Sequence, residues 1–597
     1  MLRLPSWISI QNKWLTGILF AVLFLYLILR AILVEPLLDE LGTFYWYIQS
    51  GNILNENAVL DANNHLLNSF IGHYCYKLFG DHFVLYRLLA IISFPIYFFS
   101  SRKIVIENFK HFKLITFLAL ICIHWLFDYF SLSRGYAPSV AFFMFSLSFI
   151  PSWNKSFKIG YLILIYIGFC LSILSNLSMI IPVAFLTGYL FLIFIIYWKR
   201  QKTIFKISFF ILFSAFVYVF LRMYSYTDTL KNAGALWWGS KKGLWEVTGK
   251  SVSQNIFFTE SNIVKSGLIV VFIIMITVLI YLLIKKGLKQ YILELQFWVT
   301  GLFFICLLSF VFLANFMGVN YPQDRVAMYL VILLILSFGS LMSELKGLKW
   351  LLLSFIWFPI SFFANANLNT TIFSPQDRIH NNFFDEIQKV ILPEDVITAD
   401  YVAHACYAYR SRKLDTIKMA VLNQSNSLYG EEYHLESYYG NIENWSGYKC
   451  ILSDDITKMK LYKRVNSEAK IFLKDTSILH IESNQMYIPL LTYQFSEKSK
   501  VDNFKIVVGS SIMIENGFLS TNLIEDVSFI DEGNIDYNAT IFDWYFGHKK
   551  SNRFNYTRRI KIDEIEGKKI TIYIYNPDLV NIKMNDVSIK IYGLKDL

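Results

Sequence analysis

Over the first two-thirds of the chain, apolar positions gather into long unbroken stretches that approach or reach the roughly 20 residues needed to cross a hydrocarbon core. They fall at about 14–34, 84–101, 113–128, 136–152, 160–176, 178–197, 204–222, 267–285, 296–316, 326–343 and 348–365. From about Ser374 onward the long stretches stop and two other patterns replace them. Near 380–391, Phe383, Phe384, Ile387 and Ile391 recur at helical spacing, and the short runs Val396-Ile397 and Cys450-Ile451-Leu452 read as strands of a small α/β unit. Beyond about 470 the period becomes two: Ile570, Ile572 and Ile574 alternate with Thr571, Tyr573 and Tyr575, and Val587, Ile589 and Ile591 alternate with Ser588, Lys590 and Tyr592. This alternation predicts a β-sandwich. The expected fold is a polytopic α-helical membrane domain of about 11 transmembrane helices over 1–370, an extracytoplasmic α/β domain over 371–470 and an extracytoplasmic β-sandwich over 471–597.

Composition agrees with a bilayer as solvent: of 597 residues, 55% are hydrophobic and only 17% charged, too apolar for a water-soluble chain of this size. The first apolar stretch follows Arg3 and Lys13 and has no small-residue cleavage site, so it reads as a retained helix. Lys and Arg cluster in alternate connections, around 102–113, 155–158, 199–206, 285–289 and 346–349. Such connections resist translocation, which predicts a cytoplasmic N-terminus and places the loop 35–83 and the C-terminal third on the outer face. For a bacterial chain this is an inner-membrane protein with a periplasmic C-terminal domain. The net charge of +10 is largely this collar and points to anionic headgroups rather than to nucleic acid. Cys122, Cys170 and Cys306 lie in apolar spans as small fillers, whereas Cys406 and Cys450 could pair in an oxidising compartment. There is no CxxC or His-rich metal signature.

Chemistry-bearing residues collect in the expected outer connections. Asp39 and Glu40 stand just beyond the first helix, where a positioned carboxylate could take a proton from an attacking hydroxyl; a solvated acid pair at a helix start is the plain alternative. Asp128, in a short turn before Arg134, is costly at membrane depth and calls for a partner, with Arg134 the nearest candidate. Asn63 or Asn64 could cap a helix carrying Leu66, Phe70, Ile71, Tyr74 and Leu78 on one face and lying flat on the membrane, and His65 could bind a sugar hydroxyl. Trp237-Trp238 followed by Lys241 and Lys242 suits a lipid phosphate at the interface. Arg325, in Tyr321-Pro322-Gln323-Asp324-Arg325, could grip a phosphate or anchor at the interface; Arg30 and Arg222 invite the same two readings, with anchoring favoured.

In order along the chain, the Asp39-Glu40 pair, the stretch Asn63-Asn64-His65-Leu66-Leu67-Asn68, the segment Asp128 to Tyr136 and Tyr321 to Arg325 make residues 10–365 resemble the GT-C superfamily of polyprenyl-phosphate-sugar glycosyltransferases, especially bacterial relatives of the protein O-mannosyltransferases and the aminoarabinose transferases. The resemblance implies an inverting transfer from a polyprenyl-phosphate-linked sugar to a glycan, lipid or protein acceptor, with Asp39 as base and Glu40 or Asp128 orienting acceptor or donor. It implies that Asn64, His65 and Tyr321 help hold the substrate, and that Arg134, Arg325, Lys241 and Lys242 neutralise the departing phosphate. No cofactor is required for such a leaving group, though a divalent metal is left open. A flippase for lipid-linked sugars, or a membrane anchor displaying a glycan-binding module, are the competing readings.

Overall fold

The computed structural model describes residues 10–55, 58–236, 238–259, 261–372, 374–392, 395–411, 418–421, 432–440, 447–465, 468–495, 503–514, 521–529, 534–541, 551–561, 568–577 and 579–596. The chain divides into two compact units, Met1–Val34 with Ala58–Phe373, and Glu35–Asn57 with Ser374–Leu597.

The first unit is helical throughout. Its main elements are α1 (Lys13–Leu33), α2 (Leu66–Phe79), α3 (Leu88–Asn108), α4 (Lys113–Ile121), α5 (His124–Phe130), α6 (Tyr136–Ser156), α7 (Ile159–Ser175), α8 (Ile180–Ile196), α9 (Thr203–Asn232), α10 (Lys250–Phe257), α11 (Asn262–Lys286), α12 (Leu295–Phe316) and α13 (Met328–Glu344), followed by a helical run over Lys349–Ala364. Every apolar stretch in the sequence is therefore helical, but the expected number of crossings is not reached. Among the described residues, α1, α3, α8, α9, α11, α12 and α13 are long and apolar enough to span a membrane; α4 and α5, bent by 53° at their junction, make an eighth if taken as one span. The α7 helix and Lys349–Ala364 are apolar but shorter. Helix α6 has the length, yet Pro138, Pro151 and several serines dilute its hydropathy, and it is buried along most of its course.

Burial sorts these helices. The span containing α13 is 94% buried and forms the centre of the unit, whereas α9 is 11% and α11 22% buried, with Ile204 of α9 and Ile284 of α11 facing outward. An apolar outer surface wrapped around a buried helix is the arrangement a bilayer solvates. The expected flat helix is α2, but its cap is His65, one residue beyond Asn64. It buries Asn68, Ser69 and Gly72 and exposes Phe70, Tyr74 and Leu78, so the apolar stripe faces outward.

Among the described residues the second unit carries thirteen strands: β1 (Val396–Ala399), β2 (Lys418–Val421), β3 (Tyr433–Glu436), β4 (Tyr448–Ser453), β5 (Lys460–Arg464), β6 (Glu468–Ser483), β7 (Tyr487–Gln494), β8 (Asn503–Ile514), β9 (Asn522–Phe529), β10 (Asn534–Ile541), β11 (Ser551–Lys561), β12 (Lys568–Tyr575) and β13 (Ile582–Asp596). A mixed sheet in the order β2-β1-β3-β5-β4 has β1 parallel to β2 and β3, with helix Tyr401–Ser411 between β1 and β2, and Phe383, Phe384 and Ile387 of helix Asn381–Val390 are buried. Two four-stranded sheets, β10-β9-β12-β7 and β11-β8-β13-β6, enclose one apolar core that includes Ile506, Ile572, Ile574, Ile589 and Ile591. The period-two reading holds in detail: Ile570, Ile572 and Ile574 are fully buried while Thr571, Tyr573 and Tyr575 face outward. All six cysteines are free thiols, so Cys406, buried, and Cys450, exposed, do not pair.

Candidate functional site

In the first unit, the loop before α2, the start of α6 and the loop before α13 converge. The Nδ1 atom of His65 lies 3.1 Å from the Ser175 carbonyl oxygen, which can only accept, so Nδ1 carries the proton and the lone pair sits on Nε2. Gly135 makes this approach possible: a Cβ there would stand 1.8 Å from the Ser175 oxygen and 2.7 Å from His65 Nδ1. The Tyr136 ring meets His65 edge to face at 4.7 Å. Arg134, buried, donates to Asn63 Oδ1, and its guanidinium lies 5.6 Å from the Tyr136 ring centroid. Arg325 lies 5.9 Å from the same centroid and 5.0 Å from that of Trp238. Two of the expected phosphate-binding cations thus meet on one aromatic ring, a geometry that stabilises guanidinium.

Of these, His65, Tyr136 and Trp238 line a cavity of about 300 Å³ whose wall is mostly apolar, with Leu177, Phe310, Leu313 and Val326, and which carries the polar groups of Asn64, Asn176, Ser178, Tyr224, Asp228 and Lys231. Arg134 and Arg325 are not among the lining residues. Asn64 Nδ2 donates to the Tyr226 hydroxyl at 3.3 Å, which joins the α2 loop to α9. Asp228 and Lys231 are absent from the expected site. They enter because α9 continues ten residues past the end of the apolar stretch, to Asn232, and carries its polar last turns to the cavity wall. Tyr321, buried, takes part differently: its N–H donates to the Ser240 carbonyl at 3.0 Å, pinning two loops together, while its neighbours Asn320 and Pro322 line the cavity. Gly239, at φ +109°, packs so closely on the Tyr321 carbonyl that a Cβ would come within 2.3 Å. Lys241 and Lys242 are exposed just beyond and are not among the lining residues; Trp237 lies outside the described residues.

The cavity continues beyond these residues. Ile180, Ile181, Tyr224 and Leu313 are shared with an almost wholly apolar groove of about 480 Å³ between α8, α9 and α12. Ala184, Phe185 and Ile305 in turn connect this groove to a further one of about 330 Å³, which reaches Leu192 and Phe297. From Ile180 to Leu192 the run covers roughly 18 Å of helix.

Asp128 occupies a different place from the cavity. It is buried, and its partner is Arg30 at 2.7 Å instead of Arg134; the same carboxylate accepts from the Ile372 N–H at 3.0 Å and lies 3.6 Å from His124 Nε2. Arg30, fully buried and also donating to the carbonyls of Asn367 and Thr370, is no interface anchor, whereas Arg222 is exposed. Two charges in an apolar interior are tolerated when each satisfies the other and nearby carbonyls fill the remaining donors.

Asp39 and Glu40 belong to the second unit, on the short helix Leu38–Thr43. Backbone bonds from Ile379 N to the Pro36 carbonyl and from Asn381 N to Glu35 Oε1, with Arg378 3.4 Å from Glu35, hold the start of this segment. Glu40 is buried and accepts from the Leu37 N–H at 3.1 Å, closing the helix N-terminus. Asp39 is half-buried, in the same electrostatic neighbourhood as Tyr439, whose hydroxyl donates to Asp377 at 2.6 Å. Burial, and then the charges of Asp377 and Asp39, push that hydroxyl above its ordinary value. Among the described residues, no group of three or more His, Cys, Asp or Glu could hold a metal ion.

No family model matches the chain, and no curated protein does. Among solved structures it is similar to ArnT from Cupriavidus metallidurans bound to undecaprenyl phosphate, at 12% identity and TM-score 0.35 over 76% of this chain and 98% of that one. It is also similar to the mycobacterial arabinofuranosyltransferase AftD, at 8% identity and TM-score 0.35 over 98% and 62%. A third similarity is to the arabinosyltransferase EmbB of Mycobacterium smegmatis, at 10% identity and TM-score 0.33 over 99% and 65%. At these scores the similarity assigns neither family nor activity.

Proposed function

We propose that the chain is a membrane glycosyltransferase that takes a sugar from a polyprenyl-phosphate donor and passes it to a hydroxyl acceptor. The observation that carries this reading is the continuity of a cavity that holds a few polar groups, Asp228 and Lys231 among them, with an apolar groove along α8 and α12. A site of that form fits an amphiphile with one charged head and one long hydrocarbon chain. The groove takes the isoprenoid tail; Lys231, Arg134 and Arg325, with Lys241 and Lys242 at the loop beyond, attract the phosphate; Asn64, His65 and Ser178 offer partners to sugar hydroxyls.

In this reading the acceptor oxygen attacks the anomeric carbon from the face opposite the phosphate, and the configuration inverts. The acceptor proton passes to Asp39, the carbon–oxygen bond to phosphate breaks, and polyprenyl phosphate leaves with both electrons, its charge met by the preorganised cations. Asp39 is proposed because it follows α1 by six residues and is a half-buried, ionisable acid. Asp228, a carboxylate that lines the cavity itself, is the specific rival for this role.

The test uses the full chain in proteoliposomes with labelled polyprenyl-phosphate sugars and added glycan, lipid and peptide acceptors, with and without a chelator. Asp39→Asn is expected to lower transfer by about 10²- to 10⁴-fold with donor binding retained. Full activity in Asp39→Asn together with its loss in Asp228→Asn would move the base to Asp228. Passage of the lipid-linked sugar across the bilayer without bond cleavage would overturn the transferase reading in favour of a flippase.

A further inference from the structure

The outward face of the sheet β10-β9-β12-β7 carries a feature with no part in sugar transfer as described above. Its inward residues belong largely to the apolar core, and its outward residues include tyrosines set among hydrogen-bonding groups, with Ile524 buried opposite Tyr573. Tyr487 on β7 stands directly across from Tyr575 on β12, with ring centroids 5.4 Å apart, and 5.9 Å from the ring of Tyr573. Tyr573 in turn hydrogen bonds with Tyr537 on β10 and feels the charge of Asp526 on β9. Asp526 is directly opposite both Thr571 and Tyr537 in the strand register. The rings therefore run obliquely across all four strands, roughly 14 Å at three inter-strand spacings. Tyr487 and Tyr537 are about half exposed, at 57% and 46%.

A structural role accounts for only part of this face. Aromatic pairs across strands contribute about 0.2–1 kcal/mol each to a sheet, but that does not require Tyr487 and Tyr537 to stay about half exposed. Half-exposed rings flanked by hydroxyls and a carboxylate match one class of ligand closely. A sugar ring has an apolar face of C–H groups that lies on an aromatic face, and a rim of hydroxyls that both donate and accept. A nucleic acid would call for a basic surface, which does not fit Asp526 among tyrosines.

We propose that this face is an oligosaccharide-binding platform, in which Tyr487, Tyr573, Tyr575 and Tyr537 stack on successive sugar units and Asp526 and Thr571 hydrogen bond to hydroxyls between them. The platform does not depend on the transferase reading, since it lies wholly in the second unit and is read by binding alone. The experiment captures the full chain, in lipid nanodiscs free of glycoside detergents, on immobilised hexasaccharides of glucose, mannose, galactose, N-acetylglucosamine and arabinose. The expected result is concentration-dependent capture on at least one probe. The double variant Tyr487→Ala/Tyr573→Ala should weaken that capture by about tenfold or more, and Tyr573→Phe, which keeps the ring, should largely preserve it. Phe472→Ala, an exposed ring paired with Tyr592 on the other sheet, serves as the control for folding and nonspecific adhesion and should leave capture unchanged. Capture on none of the probes, equal capture by wild type and the double variant, or equal loss in Phe472→Ala would each overturn the proposal.

Discussion

Ile273 and Ile572 are the same side chain in opposite circumstances. Ile273, on α11, is 58% exposed on the outside of the helical unit, whereas Ile572, on β12, is fully buried between the two sheets of the sandwich. Polar groups do not follow the same inversion: the helical unit keeps Arg30, Asp128, Arg134 and His65 inside, and the sandwich, although it turns Asp526 and Thr571 outward, also buries Tyr556 and the pair Arg558–Glu525 at 3.1 Å. The contrast teaches that burial by itself says little about the energy of a residue until its solvent is known. An isoleucine facing lipid has already left water, so packing it adds only the dispersion and shape terms.

The most forceful way to test this contrast is at the buried charges. Arg30→Leu leaves Asp128 without its counter-charge and the carbonyls of Asn367 and Thr370 without a donor, and it should cost about 3–5 kcal/mol, read as a fall in thermal stability of the purified chain. Replacing both partners with apolar residues should recover much of that loss. Next come the paired isoleucines. Ile572→Ala should destabilise the sandwich by about 2–5 kcal/mol, while Ile273→Ala should change stability in nanodiscs by less than about 1 kcal/mol. Comparable losses at both sites would show that the outer face of α11 is packed and not lipid-facing.

Acid offers a third probe, confined to the second unit. Burial pushes the imidazoles of both His404 and His434 down to about 3. The folded state holds them neutral, so their contribution is fully present above the ordinary histidine value near 6.5 and is lost progressively as pH falls from there toward about 3. At pH 5 each should cost roughly 2 kcal/mol. Unfolding of this unit followed against pH should steepen below about 6.5 and flatten in a His404→Gln/His434→Gln variant that remains folded. At Gly135→Ala the new methyl must displace the Ser175 backbone carbonyl or His65, costing about 1–3 kcal/mol or more. Donor binding should weaken in that variant more than heat stability does.

Much of this was legible in the chain. Each apolar stretch became a helix because hydropathy reports the one property every bilayer-facing helix shares, and the period-two isoleucines of β12 and β13 report a sheet with one buried face. Hydropathy does not report neighbours, however. Asp128 was expected to pair with Arg134, six residues on, yet it meets Arg30 from another helix. Asp228 and Lys231 were missed because the apolar window ends before α9 does; only a helix read on through its polar turns would have brought them in. Glu40 looked like half of an acid pair, but its place three residues after Leu37 is also that of a residue closing a helix start, and this is the bond it makes. Lys241 and Lys242 stood out by their aromatic neighbours and Arg325 by its place at the outer start of a span, and of these Arg325 rests on rings beside the cavity.

The segment 35–57 joins residues made far later, for it belongs to the unit that resumes at Ser374. Phe44, Tyr47 and Ile48 are completely buried in the finished molecule, and Phe44 meets Tyr409 across 6.3 Å. A ribosome adding about 5–20 residues per second needs on the order of 15 to 60 s to reach those partners. During biogenesis this aromatic stretch must therefore wait, shielded by lipid or a chaperone, while the intervening helices are inserted.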